Sequence, residues 1–228
     1  MAATSVASRL PAWLRAHAWR LAALFLCVLA PLWLFGEIAE EVGELDSARG
    51  LGWDETILLY LRSQSGPVLD RLMLGISTIS AGPWVATVDV AVFVFLWAAR
   101  RQLDALFWAF ATGGAALLNV AAKHGYARIR PDLWPSIAPE LSYSFPSGHT
   151  MQSMALAAAA VALLWSTPAR GWAIAVGAAF TGLVGLSRVY LGVHFPSDVA
   201  AGWAASLAWV VGLRLVFDHR AARRRRDA

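Results

Sequence analysis

Three short groups of residues in the second half of the chain combine cationic, imidazole, hydroxyl and carboxylate side chains. The groups are Lys123, Arg128, Arg130 and Pro131; then Pro146, Ser147, Gly148 and His149; and finally Ser187, Arg188, His194 and Asp198. Cations and a helix N-terminus can surround a dianion and neutralise it. Two histidines can supply a nucleophile and an acid. Together, the groups have the chemistry that phosphoryl transfer requires.

The first group predicts two cations on one side of a helix. Lys123 and Arg130 are seven residues apart, and seven residues of helix make almost two full turns. If the helix that contains Lys123 continues this far, both side chains face the same way, and Pro131 helps to stop the helix beyond them. Snorkelling of the two charges to a membrane interface is the alternative interpretation.

The second and third groups each lie at a predicted helix start. Ser147 is a suitable N-cap, and Gly148 allows a ligand to approach the free backbone N–H groups at the positive end of the helix. An ordinary capped helix start is the alternative. Pro196 suits the first turn of the next helix, so Asp198 lies in that turn and can reach back to His194. A carboxylate on one ring nitrogen fixes the tautomer and leaves the other nitrogen free to attack.

The elements that must position these groups are apolar helices. Six segments are predicted to span a membrane, namely residues 21–35, 79–99, 103–122, 147–165, 171–188 and 197–217. The first segment also fits a signal peptide, but no small-residue cleavage site follows it, which favours an uncleaved anchor. Residues 53–62 predict a short amphipathic helix on the outer membrane surface. The predicted fold is all-α, a six-transmembrane helix bundle with one interfacial helix after the first span.

Composition excludes several classes of protein. Of the 228 residues, 58% are hydrophobic and 15% are charged, whereas soluble domains average about 45–50% and about 25%. This excludes a soluble globule and a disordered chain. Cys27 is the only cysteine, so a disulfide scaffold or a zinc finger is excluded as well. The net charge is +4, but no basic patch is interleaved with stacking aromatics, which argues against nucleic-acid binding.

The distribution of charge predicts the orientation in the membrane. The segment before residue 21 has three Arg and no acid, whereas residues 36–71 have eight acids against three Arg. The loops at Arg100 and Arg170 and the C-terminal tail are basic. By the positive-inside rule, both termini are cytoplasmic and the three polar groups lie on the outer face.

The spacing of the three groups resembles the tripartite signature of the type 2 phosphatidic acid phosphatase superfamily. Blocks 123–131, 146–149 and 187–198 match that signature in order. The resemblance implies an integral membrane lipid phosphatase that hydrolyses a phosphomonoester, or the terminal phosphate of a lipid diphosphate, through a phosphohistidine. It implies no metal and no other cofactor. The six-helix phosphatase domain is expected over residues 21–217, in a bacterial inner membrane, between a cytoplasmic basic tail at 1–20 and an Arg-rich tail at 218–228.

The resemblance also implies a role for each signature residue. His194 is the nucleophile, Asp198 orients it, and His149 protonates the leaving oxygen and then activates water. The residues implied to bind phosphate are Lys123, Arg130, Ser147, Gly148 and Arg188. His124 and Arg128 lie beside the signature and are interpreted as structural residues or as part of a headgroup rim.

Several alternatives stay open from the sequence. It does not separate a phosphatidate, a phosphatidylglycerophosphate and an undecaprenyl diphosphate phosphatase. A non-catalytic phospholipid transporter or scaffold would use the same cationic pocket, but it would not need a nucleophile. Asp89, midway along the second predicted span, is expected to make a structural hydrogen bond rather than to contact substrate. Asn119 is expected to steady Lys123 from the same helix face.

Overall fold

The computed structural model describes residues 22, 24–44 and 50–224, and no side chain is described beyond Asp218. The predicted tail at 1–20 therefore lies outside the described residues, as do residues 225–228 of the predicted tail at 218–228. A π-helical turn at Phe25–Leu29 leads into the first of eight α-helices in the described part of the chain. The α-helices are α1 Ala30–Glu44, α2 Asp54–Ser63, α3 Pro67–Ile79, α4 Gly82–Ala98, α5 Gln102–Tyr126, α6 Gly148–Leu164, α7 Arg170–Tyr190 and α8 Pro196–Arg224.

Three of these helices are long and apolar enough to cross a membrane, namely α5, α7 and the part of α8 that covers Pro196–Asp218. α3 and α4 meet at a bend of 45° and pass the same test together, as a fourth candidate span. α6 is apolar but has only 17 residues, which gives a length of about 25 Å against a hydrocarbon core of about 30 Å. The all-helical fold is confirmed across the described residues, and the number of six spans stays a prediction.

α6 is the central helix, in contact with α5, α7 and α8. Small residues line its inner face, where Ala155 and Ala159 are fully buried in one cluster with Ala111 of α5. Such residues let helices approach closely inside a membrane. α7 and α8 are equally close, since a Cβ atom at Gly185 would lie 2.3 Å from the Trp203 ring. This packing brings the start of α6 next to the α7–α8 turn.

α2 forms over the segment that the sequence predicted as an amphipathic helix. Its Leu58 is fully buried in a cluster with Val189 and Phe195 from the α7–α8 region. The neighbouring Ile57 is 39% exposed. Contacts with α7 and α8 therefore hold this helix, and its location on a membrane surface stays a prediction.

Candidate active site

His194 and Asp198 form a fully buried pair at the α7–α8 turn. The Nδ1 atom of His194 lies 3.3 Å from Oδ2 of Asp198, and neither residue has any exposed surface. Arg130 Nη1 donates to His194 Nε2 at 2.9 Å, so Nε2 carries the lone pair and the N–H of Nδ1 faces the carboxylate. Burial lowers the pKa of His194 well below its usual value, and the charges of Arg130 and Arg188 lower it further. This direction of the pKa and the donor on Nε2 both favour a neutral imidazole with its lone pair on Nε2.

Asp198 is held by groups from three parts of the chain. Its Oδ2 accepts hydrogen bonds from Ser144 Oγ and, at 2.9 Å, from the backbone N–H of Phe195. Its Oδ1 accepts from Arg128 Nη1 at 2.6 Å. Its backbone carbonyl accepts from the N–H of Ser147 at 3.1 Å, which joins the second sequence group to the third. A carboxylate fixed in this way gives the imidazole a fixed orientation.

Arg128 connects Asp198 to a second buried carboxylate on α2. Its Nη2 donates to Asp54 Oδ2 at 3.1 Å, and its guanidinium lies 4.1 Å from the centroid of the Phe195 ring. Asp54 also accepts from the hydroxyl of Ser197 at 2.6 Å and from its N–H at 2.8 Å. Arg128 thus makes structural contacts, as one of its two interpretations had it, and it lies behind the His194–Asp198 pair rather than at a headgroup rim. Sequence reasoning missed Asp54, which appeared only as one acid among eight in an acidic segment.

Lys123 and Arg130 meet for a reason other than the predicted one. α5 ends at Tyr126 because Ala127 adopts a left-handed conformation with φ of 48°, so the helix does not continue to Arg130 and the condition for one shared helix face is not met. The two side chains instead converge on the following loop. Lys123 Nζ and Arg130 Nη2 donate to the hydroxyl of Ser142 at 2.9 and 3.0 Å.

Arg188 is a second deeply buried cation of the site, beside Arg128. It is 1% exposed and donates through Nη1 to Ser77 of α3 and through Nη2 to Glu140. Its Nε has no hydrogen-bond partner among the described residues, and neither has the buried Oγ of Ser147. Buried polar atoms normally have partners, so these two donors suit the oxygens of a bound anion. We call Lys123, Arg130 and Arg188 the cationic cup.

Glu140 lies between the cations of the cup, on the loop between α5 and α6. Its Oε2 is 2.7 Å from Arg130 Nη2, its Oε1 pairs with Arg188, and Oε1 is 3.9 Å from Nδ1 of His149. Burial alone would raise the pKa of Glu140, but the charge of Arg188, together with that of Arg130, lowers this pKa to about 2. Sequence reasoning missed Glu140, because it belongs to no periodic pattern and to no signature block.

His149 is the second residue of α6 and is 18% exposed, at the side of the cup that faces Glu140. Ser147 is the N-cap residue, as predicted, but its side chain makes no capping hydrogen bond. A Cβ atom at Gly148 would lie 3.0 Å from Oδ1 of Asn119, so a larger residue here would press on the Asn119 side chain. Asn119 donates to the carbonyl of Pro146 at 3.0 Å. Asn119 was expected to steady Lys123. Its hydrogen bond instead fixes the chain just before the start of α6.

Asp89, the acidic residue midway along the second predicted span, contacts α6 rather than the cup. Its Oδ2 accepts a hydrogen bond from Gln152 of α6 at 3.0 Å. This contact agrees with the expected structural hydrogen bond between two apolar helices. Within the described residues, no group of three His, Cys, Asp or Glu side chains is placed to hold a metal ion.

The three sequence groups thus meet at one place, joined by hydrogen bonds and ion pairs between their side chains and the loop that connects α5 to α6. A model of the PAP2 superfamily matches residues 104–221, which contain all three groups. The chain belongs to the PAP2 superfamily. This PAP2 protein is 32% identical over 146 residues to phosphatidylglycerophosphatase B of Bacillus subtilis, covering 62% of this chain and 71% of that relative.

Other comparisons agree with the family assignment. The PAP2 protein is 36% identical over 101 residues to an undecaprenyl-diphosphatase of Sulfolobus acidocaldarius, covering 42% of this chain and 46% of that one. Among solved structures, the transmembrane PAP2 type phosphatidylglycerolphosphate phosphatase from Bacillus subtilis superposes with a TM-score of 0.73 at 28% identity, over 84% of this chain and 96% of that one. The Aquifex aeolicus LpxE structure, at 21% identity and a TM-score of 0.59 over 72% and 95% of the two chains, shares the fold.

Proposed function

We propose that this PAP2 protein releases inorganic phosphate from a membrane lipid through a covalent phosphohistidine at His194. The protein is a phosphatase acting on lipid phosphates, as its relatives named phosphatidylglycerophosphatase and undecaprenyl-diphosphatase indicate. The observation that carries the mechanism is the neutral His194, backed by the buried Asp198 and facing the cationic cup. Binding alone would require the cup but not this pair.

The proposed reaction has two in-line steps. In the first, Nε2 of His194 attacks phosphorus, the P–N bond forms, and the P–O bond to the lipid breaks while His149 gives its proton to the leaving oxygen. In the second, His149 takes a proton from water, the water oxygen attacks phosphorus, and the P–N bond breaks. Free phosphate leaves, and both histidines return to their starting states.

The cationic cup supplies the electrostatic stabilisation that this reaction needs. Lys123, Arg130 and Arg188 together carry three positive charges against a phosphate of up to two negative charges, and these charges spread over the equatorial oxygens in the transition state. The backbone at Gly148 and the hydroxyl of Ser147 complete the oxygen ligands. We propose that these cations take the place that metal ions have in other phosphatases.

The proposed orientation puts the cup at the outer ends of the helices. The basic loops at Arg100 and Arg170 lie at the opposite ends of α5 and α7 from Lys123 and Arg188, which supports this orientation by the positive-inside rule. A cysteine at Leu141, a fully exposed residue on the same loop as Glu140, in a Cys27→Ser background tests it. Thiol labelling by a membrane-impermeant reagent is expected from outside, and labelling only from the cytoplasmic side contradicts the orientation.

The decisive experiment measures phosphate release and the covalent intermediate in the purified protein. The panel consists of phosphatidylglycerophosphate, undecaprenyl diphosphate and phosphatidate, which the sequence does not separate. His194→Ala is expected to abolish release and the trapping of a labelled phosphoenzyme, while His124→Ala is the matched control. His124 is exposed, and its ring bonds to the carbonyl of Val120 at 2.8 Å, outside the cup. Wild-type turnover in His194→Ala refutes the mechanism, and binding without any turnover in the native protein favours the scaffold alternative.

A further inference from the structure

Glu140 is bound by the same cations that would bind the substrate phosphate. Its two carboxylate oxygens contact Arg130 at 2.7 Å and Arg188, and His149 lies 3.9 Å away. A carboxylate whose two oxygens accept from two guanidinium groups has the same charge as a bound phosphate monoanion and meets the same donors. The side chains of Arg188 and Glu140 are 1% and 27% exposed, so salt screens this ion pair less than a pair on the surface.

The cup is closed in this arrangement. His194 has no exposed surface, and Arg130 Nη1 lies 2.9 Å from its Nε2, at the place where phosphorus must approach. The same guanidinium holds Glu140 through Nη2. Substrate phosphate therefore reaches Nε2 only if Arg130 moves off the ring and its oxygens replace those of Glu140 on Arg130 and Arg188.

We propose that Glu140 is an internal competing anion, which every ligand of the cationic cup must displace. This inference rests on the proposed function, because it concerns the ligand of the same site. The free energy for displacing Glu140 is the same for any incoming anion, so it weakens the binding of all of them by one factor. Glu140 therefore raises the concentration of any anion that is needed to fill the cup, and it does not favour an anion of one shape over another.

The threshold separates two classes of lipid by their charge. Phosphodiester lipids, the bulk of a membrane, offer one negative charge to the three cations, as Glu140 itself does. A terminal phosphate offers up to two charges and binds more strongly. With Glu140 in place, the abundant phosphodiester lipids bind too weakly to fill the cup, whereas a lipid with a terminal phosphate still binds. Return of the carboxylate after turnover also helps to displace product phosphate, which no longer has a lipid chain to hold it.

The test is the substitution Glu140→Gln, which keeps the shape of the side chain and removes its charge. The inhibition constants of inorganic phosphate and of phosphatidylglycerol are measured against hydrolysis of a lipid phosphate in mixed micelles. Both constants are expected to fall about tenfold, because hydrogen bonds to charged groups typically contribute more than one such factor. Asp132→Asn is the matched control, since it removes an exposed acid from the same loop and is expected to leave both constants unchanged.

Unchanged or weaker inhibition in Glu140→Gln overturns the proposal, since Glu140 then helps to build the cup instead of competing for it. Equal tightening in Asp132→Asn overturns it too, because general charge then explains the effect. Thermal unfolding with and without inorganic phosphate tests the same point without turnover. Phosphate is expected to raise the Tm of Glu140→Gln more than that of the native protein. The same result is expected for a second variant, Glu140→Ala. A native protein that hydrolyses no lipid phosphate refutes the proposed function, while this binding comparison still decides the role of Glu140.

Discussion

Replacement of Arg128 is the sharpest test of the buried charges behind the nucleophile. Arg128 is 1% exposed, and it lies between Asp54 and Asp198, neither of which has exposed surface. Arg128→Met keeps much of the side-chain volume but leaves two buried carboxylates without their shared cation. Removal of one partner from a buried ion pair costs about 3–5 kcal/mol. We therefore expect Arg128→Met to lower the free energy of unfolding by an amount in this range and to reduce kcat more than it raises KM.

A double-mutant cycle with Asp54→Asn isolates the charge interaction from lost packing. Asp54→Asn keeps the shape of the side chain, and it removes one of the two charges that Arg128→Met leaves uncompensated. If the charges are coupled, the double variant is more stable than the sum of the single effects predicts, by about 0.5–3 kcal/mol. The four free energies are measured by unfolding in mixed detergent micelles, with phosphate release followed in parallel.

Additivity is the outcome that refutes this reasoning. If the two effects add to within about 0.5 kcal/mol, Asp54 and Arg128 do not interact energetically in spite of the 3.1 Å distance between them. Conversely, a kcat that is unchanged in Arg128→Met shows that Asp198 does not need this cation to orient His194.

Three further predictions concern His194, Asn119 and metal dependence. The pKa of His194 is well below 6.5 in the folded protein, so the unfolded chain binds a proton at this residue before the folded protein does. The free energy of unfolding is therefore expected to fall by about 1.4 kcal/mol for each pH unit below 6.5 on account of this group, and to show no such loss above pH 6.5. In unfolding measurements, His194→Asn is expected to lack this part of the pH dependence. Asn119→Ala removes the hydrogen bond to the carbonyl of Pro146 and is expected to destabilise the protein by about 1–3 kcal/mol, with a lower kcat in the phosphate-release assay. EDTA is expected to leave phosphate release unchanged, and vanadate is expected to inhibit it. If EDTA abolishes the activity and added metal restores it, the proposed role of the cationic cup is contradicted.

Sequence reasoning found the parts of the site that depend on local chain geometry. The pairing of His194 with Asp198 follows from a four-residue separation at a helix start, and the structure has it at 3.3 Å. Ser147 was likewise placed at the N-cap of α6. Both predictions rest on periodicities and terminal preferences that a few neighbouring residues determine.

The parts that sequence reasoning missed depend on contacts between distant segments. Glu140 and Ser142 lie in a loop of 21 residues between α5 and α6, where no periodicity indicates which side chain points inwards. Asp54 reaches Ser197 across 143 positions of the chain. The sequence left open whether the helix continues to Arg130, because a non-glycine residue in the left-handed region, here Ala127, has no sequence signal of its own.

The contact between α2 and the α7–α8 turn has a consequence for protein engineering. Every signature residue lies within 123–198, inside the region 104–221 that the family model matches. Yet the carboxylate that faces Arg128 from behind, and accepts from Ser197, is supplied by Asp54, well upstream of that region. A graft or split design that transplants only residues 104–221 would carry every signature residue and still leave Arg128 in the interior without one of its carboxylate partners.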